Sequence, residues 1–291
     1  MPEIAISQDL CRKDGLCSMA CVRGIFQQEE KDTVPNVVGP ELCFGCGHCV
    51  AICPSGAIAH SDYPAGSVGS IRPEDNPTYE QVLQLIRSRR SKRLFKDTPV
   101  ERKTIMKVLE AARFAPSGHN QQGTHFTVIQ DTDTLQEVGR LTAVGLRKMV
   151  RPFRSSIGRA FMRILLGSRK TAIIAGFAPE LEHCSSLFES GQDVLLNNAP
   201  VLLLFHADDV GGFTGVDANL ALQNAALAAE TVGLGCFYTG FVVAVCERDG
   251  SIARFLSLPD HHRIFGGLGM GYPRLSFQKW PERKPLRATW V

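Results

Sequence analysis

The segment "CFGCGHCVAICP" at residues 43–54 separates Cys43, Cys46, Cys49 and Cys53 by two, two and three residues and closes on a proline. Short loops of this kind wrap three thiolates around one small inorganic cube. The fourth cysteine is carried away on the following turn, as in the bacterial iron–sulfur run C-x2-C-x2-C-x3-C-P. Gly45 and Gly47 let the backbone close in and offer its N–H groups to sulfur. A four-cysteine zinc site more often divides its ligands into two separated pairs.

Upstream, "DLCRKDGLCSMAC" repeats the run with one change: Cys11, Cys17 and Cys21 take its first, third and fourth positions, and Asp14 takes the second. The two runs together resemble a bacterial two-cluster ferredoxin, in which the fourth cysteines are exchanged. The resemblance implies one [4Fe–4S] cluster on Cys43, Cys46, Cys49 and Cys21. It implies a second on Cys11, Cys17 and Cys53, with Asp14 left open. A carboxylate there either ligates iron as a harder, weaker ligand or stays solvated beside a [3Fe–4S] cluster. Val22, where the pattern has proline, is a further small departure.

Seven of the ten cysteines lie within the first 53 residues, and Cys184, Cys236 and Cys246 read as small core hydrophobes. Such a crowd would suit a disulfide framework in a secreted chain, but "MPEIAISQDLCRKDG" carries charge where a signal peptide is apolar. No run reaches the roughly 18 apolar residues of a membrane span. The expectation is a soluble, cytoplasmic protein, where clustered cysteines more often bind metal. The net charge of +3 divides into −5 over residues 1–75, from ten acidic and five basic side chains, and +8 over the rest. The basic residues are too scattered for a phosphate-tracking stripe, so no nucleic-acid partner is expected.

A length of 291 residues, 44% apolar, allows two domains. Gly, Ser and Pro crowd the stretch after Cys53, which reads as a connector. The expected division is an iron–sulfur domain over 1–65, a linker over 66–77 and a larger domain over 78–291. Thr78 and Gln81 form a capping box opening a helix, and Ile105, Val108, Leu109 and Ala112 mark a second helix before Pro116. "HFTVIQ" reads as a strand and "APVLLLFHAD" as a buried central one. "DANLALQNAALAAETVGLG" reads as a long helix and "CFYTGFVV" as a short strand or turn. The fold class is α+β, with a central mixed or antiparallel sheet flanked by helices.

From residue 86 onward the chain resembles the nitroreductase family of flavoproteins. The blocks that carry this are "IRSRRSKRLF", "AARFAPSGHNQQGTHF", and "NLALQNAALAAETVGLGCFYTGF" followed by "LGMGYPRLSFQKWPERKPL". The resemblance implies FMN held at the interface of an intertwined homodimer. It implies Arg89, Arg90, Ser91 and Arg93 at the phosphate and pyrimidine side, with Arg283 and Lys284 as late phosphate ligands. A dianionic phosphate suits charged forks and a hydroxyl. Pro116, Ser117, Gly118, Asn120 and Gln122 fall in the segment beside the flavin ring, whose N1–C2=O edge gains negative charge on reduction. Tyr238, Thr239 and Gly240 match the stretch near flavin N5, and His119 and Tyr238 are the candidate catalytic groups. Gly123 and Thr124 depart from the family's Pro-Trp, so packing differs there.

Together these features imply an enzyme of electron transport. Electrons pass from a low-potential donor such as ferredoxin or flavodoxin, through the clusters, to FMN and then to a nitro, quinone or enone acceptor. Two alternatives stay open. In one, NAD(P)H reduces the flavin and the clusters serve a protein partner; in the other, the chain is a carrier or sensor without a substrate. Arg147, Lys148, Arg151, Arg154 and Arg159 lie on a helical stretch read either as an anion-attracting surface or as a solvated face.

Overall fold

The computed structural model describes all 291 residues. The chain forms two compact units: Met1–Pro77 with Gly118–Gln121, and Thr78–Ser117 with Gln122–Val291.

The first unit is built twice over from one plan, at an offset of 32 residues (Cys11 to Cys43). Strand β1 (Ile4–Ile6) is followed by helix α1 (Leu16–Ala20), and the hairpin β2 (Phe26–Gln27) and β3 (Asn36–Val37) comes next. Helix α2 (His48–Ile52) then leads to β4 (Ile58–His60), which pairs antiparallel with β1. Gly15 and Gly47 precede the two helices in the left-handed region, at φ 70 and 74. At Gly47 a Cβ would also lie 2.8 Å from the Tyr63 ring, so only glycine fits. Cys17, Ile25, Phe26, Cys49 and Val50 form the buried centre.

The second unit opens with α3 (Tyr79–Ser88), whose Thr78–Gln81 capping box is formed in both directions. Helix α4 (Arg102–Arg113) stops short of Pro116, and strand β5 (His125–Ile129) follows. Three helices come next: α5 (Thr132–Val150), α6 (Ser156–Leu166) and α7 (Ser168–Glu189). The remaining elements are β6 (Val201–Asp208), α8 (Thr214–Thr231), β7 (Gly235–Tyr238), α9 (Gly240–Cys246), α10 (Ser251–Phe255) and β8 (His262–Gly271). The sheet order is β5-β6-β8-β7 and every pairing is antiparallel.

Strand β6 is apolar throughout because both its faces are covered. Val201, Leu203 and Phe205 pack with α4 and α8, while Leu202 and Leu204 pack with α5 and α9. The small residues Ala218, Ala221, Ala225, Ala226 and Ala229 bring α8 close to the sheet. Where "CFYTGFVV" was expected as a strand or turn, the strand ends at Tyr238 and a helix begins two residues later. The Thr239 N–H donates to the Gly267 carbonyl at 2.9 Å and fixes that corner. A Cβ on Gly267 would lie 2.3 Å from Thr239 Oγ1, so the glycine makes room for the buried hydroxyl.

At one end of the sheet His206 is buried with both ring nitrogens engaged. Nε2 lies 2.9 Å from Thr127 Oγ1, and Nδ1 lies 2.8 Å from His262 Nδ1. Burial, with His262 and His125 beside it, lowers its pKa to about 4. Unfolded, an imidazole titrates near 6.5, so between these values the unfolded chain binds more protons and stability falls as pH drops. Replacing His206 with Asn should reduce the loss of urea-unfolding free energy between pH 7 and pH 5. Equal losses in the two proteins would show that His206 is not held neutral.

Candidate functional site

The eight expected cluster ligands separate into two cavities. The lining of one includes Cys11, Asp14, Cys17 and Cys53. The lining of the other includes Cys21, Cys43, Cys46 and Cys49. The fourth cysteine of each run therefore faces the cavity of the other run, as expected from the ferredoxin pattern. All ten cysteines are free thiols. Asp14 lies on its cavity's rim, exposed, and its Oδ1 accepts the Leu16 N–H at 3.2 Å.

Backbone N–H groups point at the sulfurs in the same duplicated way. Lys13 N donates to Cys11 Sγ at 3.4 Å, matched by Gly45 N to Cys43 Sγ at 3.4 Å. Ile25 N donates to Cys21 Sγ at 3.4 Å, matched by Ala57 N to Cys53 Sγ at 3.3 Å. Such donors favour the thiolate and tune a cluster's potential. Burial, then the neighbouring Cys46 and Cys43, raise the Cys49 thiol to about 11. Burial also works against ionisation of Cys53, but Ser55 and the Ala57 and Gly56 amides outweigh it and lower that pKa. His60, 3.5 Å from Cys43 Sγ through Nε2, is a sulfur neighbour that no sequence motif announces.

Gly118, His119 and Asn120, taken from the sequence as flavin neighbours, group with the first unit, together with Gln121. The Asn120 amide donates to the Gly45 carbonyl at 2.6 Å and lies 3.1 Å from the Tyr63 hydroxyl. The His119 ring meets Phe44 edge-on at 6.0 Å. His119, Asn120 and Gln122 all have left-handed backbones, at φ 51, 53 and 49. Each such non-glycine residue stores strain of about 1–3 kcal/mol, a pattern that gathers at binding segments. Ser117 Oγ accepts the Gln122 N–H at 2.9 Å and closes the turn.

In the second unit, residues 89–93 are fastened alongside β7. Ser91 bridges to Cys236, and Lys92 N donates to the Cys236 carbonyl at 3.0 Å. Lys92 Nζ reaches both carboxylate oxygens of Glu230 at 2.7 Å, with the two side chains only 11% and 17% exposed. Sequence reasoning passed over both residues; the signal was a lysine inside "RSRRSKR" and a lone acid ending an apolar helix. Arg93 stacks 5.7 Å from the Phe237 ring and Arg90 lies 5.8 Å from Phe277. Two polar atoms here are buried without a hydrogen-bond partner: Arg89 Nε and Thr239 Oγ1.

Tyr238 is half-exposed, and the burial of part of its ring, with Glu247 nearby, raises its phenol's pKa. Arg283 and Lys284 lie in an exposed irregular tail, and no hydrogen bond or ion pair joins their side chains to residues 89–93.

A duplicated sulfur cage, together with a helix-flanked antiparallel sheet carrying unpaired buried donors, defines a two-module redox protein. Residues 86–272 match the nitroreductase family, and the chain belongs to it. Residues 3–54 match the 4Fe-4S dicluster domain. A relative from Methanothermobacter thermautotrophicus is 27% identical over 66% of this chain and 77% of its own length. It carries the provisional name NADH dehydrogenase/NAD(P)H nitroreductase. The FMN reductase [NAD(P)H] of Bacillus subtilis is 24% identical over 72% of each chain. In fold, the second unit is similar to the FMN-bound nitroreductase of Bacteroides fragilis, with TM-score 0.54 and 21% identity over 72% of this chain and 97% of that one. No helix is long and apolar enough to cross a membrane.

Cys53→Ala should empty the Cys11/Cys17 site and leave the other occupied, read by iron content and by electron paramagnetic resonance of the reduced protein. Loss of the Cys43/Cys46/Cys49 cluster instead would overturn the exchange of ligands. Separately, Lys92→Met leaves Glu230 buried without its cation and should cost about 3–5 kcal/mol in urea unfolding. Adding Glu230→Gln should recover most of it. A loss below about 1 kcal/mol would mark the pair as solvated.

Proposed function

We propose that this chain is an oxidoreductase that couples a low-potential electron donor, through two iron–sulfur clusters and FMN, to a nitro, quinone or enone-type acceptor. The observation that carries the reading is the sorting of eight sulfur and carboxylate ligands into two four-ligand cavities on the same chain as a nitroreductase domain. Cys11, Cys17, Cys53 and Asp14 hold one cluster in this reading, and Cys21, Cys43, Cys46 and Cys49 the other.

The residues present suit FMN. Arg89 Nε and Thr239 Oγ1 are buried polar atoms in want of a partner, at positions where the family resemblance implies the flavin. The chemistry FMN supplies when bound is exchange between one-electron and two-electron transfer. In our assignment Arg89, Arg90, Ser91 and Arg93 bind its phosphate and pyrimidine side, and Arg283 and Lys284 add positive charge from the tail. Pro116, Ser117, Gly118, Asn120 and Gln122 shape the ring edge, and Thr239 and Gly240 the N5 side. Tyr238, through its hydroxyl, and His119, through its imidazole, are the candidate catalytic groups in this reading.

The protein is further assigned as a homodimer. The tail exposes Leu286, Trp290 and Val291, which suits burial against a second copy. Clustered cysteines assigned to metal rather than to disulfides suit the cytoplasm. A second reading, in which NAD(P)H reduces the flavin and the clusters pass electrons to a protein, is favoured by the names of the relatives.

An anaerobic titration followed by flavin and cluster absorbance separates the two. NADH and NADPH should leave both chromophores unchanged, and reduced ferredoxin or flavodoxin should bleach them. Prompt bleaching by either nucleotide would make the clusters an exit and overturn the inward direction.

A further inference from the structure

Helix α6 leaves its most apolar side uncovered. Ile157, Phe161, Ile164 and Leu165 stand at helical spacing on one face, and they are 85%, 61%, 86% and 65% exposed. The helix contacts the rest of its unit through another side, where Gly158, Met162 and Leu166 are half-buried. Ile173 and Phe177 of α7 are exposed as well. Scattered exposed apolar residues are ordinary; a contiguous helical face of them marks an interaction surface.

The charge around this face is one-sided. Between Val138 and Pro179 there is no Asp or Glu, against nine Lys and Arg. Four of the nine are neutralised from outside the stretch: Arg140 by Glu137, Arg147 by Glu189, Lys148 by Asp249 and Arg154 by Glu182. Arg151, Arg159, Arg163, Arg169 and Lys170 are left without a carboxylate partner. A second copy of the chain set face-to-face on this surface would bring two sets of five unpaired cations together. An anionic headgroup layer supplies the missing charge, and the acyl boundary beneath it takes the apolar face. At 11 residues α6 is too short to cross a bilayer, so it would lie in the interfacial plane.

We propose that α6, with the start of α7, docks this protein peripherally on an anionic phospholipid surface. A docked flavin domain selects a long-chain quinone dissolved in the bilayer from among the acceptors named above. That corollary rests on the redox reading, whereas docking itself does not.

The test is co-sedimentation of the full-length holoprotein with vesicles of phosphatidylglycerol and phosphatidylcholine, compared with vesicles of phosphatidylcholine alone. No electron donor or acceptor is present, so the result is independent of the redox reading. Binding should require phosphatidylglycerol and weaken as salt rises from about 0.1 M to about 0.5 M. It should fall at least about tenfold in Phe161→Asp/Ile164→Asp. Iron and flavin content should be unchanged. Arg163→Glu/Lys170→Glu, which leaves the apolar face intact, should weaken binding to anionic vesicles only. Failure to sediment with anionic vesicles, or equal binding by wild type and both variants, would overturn the proposal. So would conversion of a dimer to a monomer by Phe161→Asp/Ile164→Asp in analytical ultracentrifugation, which would assign the face to a second copy.

Discussion

Sulfur ligands crowded into a small space hold their protons until a cation replaces them. Cys49 shows the effect, with its thiol raised to about 11 by burial and by two neighbouring cysteines. The first unit centres on such groups, with Cys17 and Cys49 among its few buried side chains. In a unit this small, a metal centre takes over part of the work of a hydrophobic core. The duplicated N–H···S donors, the paired left-handed glycines and the short helices are what wrapping backbone around crowded sulfurs requires.

The second unit solves a different problem. Its sheet is covered on both faces, so β6 carries no polar side chain until His206 and leaves the chemistry to segments at the sheet's end and edge. The Arg89–Arg93 segment is pinned by Lys92–Glu230 and by backbone bonds to β7. Strand β7 in turn stops at Tyr238, where Thr239 turns the chain into α9. A buried ion pair is an expensive fastener, and its place beside a run of arginines gives it a positioning role. It holds cationic side chains that would otherwise repel one another.

Much of this was legible before any fold was known. Cysteine spacing is set by cluster geometry, so the two runs from Cys11 to Cys53 were readable as candidate ligand sets, and the ferredoxin resemblance implied their exchange. The capping box at Thr78 and the apolar run of β6 are local signals, and both elements formed where they were expected. The strand or turn of "CFYTGFVV" was expected, but the helix that starts at Gly240 was not, because the corner before it is fixed by the Gly267 carbonyl, which is distant in sequence. Lys92 was hidden for a related reason: a lysine among arginines looks solvated until Glu230, 138 residues away, is placed against it. Arg283 and Lys284 were read by motif alone, and no hydrogen bond or ion pair within the chain joins their side chains to residues 89–93.

The sequence by itself determined the spacing of the candidate metal ligands, the two-module order and the family. Those depend on short spacings and on side-chain chemistry that do not change with packing. Tertiary structure alone decided which cysteine faces which cavity, that Asn120 turns toward Gly45 and Tyr63, that Arg89 Nε and Thr239 Oγ1 are buried without partners, and that one face of α6 stays uncovered. Each of these is a relation between residues far apart in the chain. Burial and hydrogen-bond satisfaction have no value until the fold has brought such residues together.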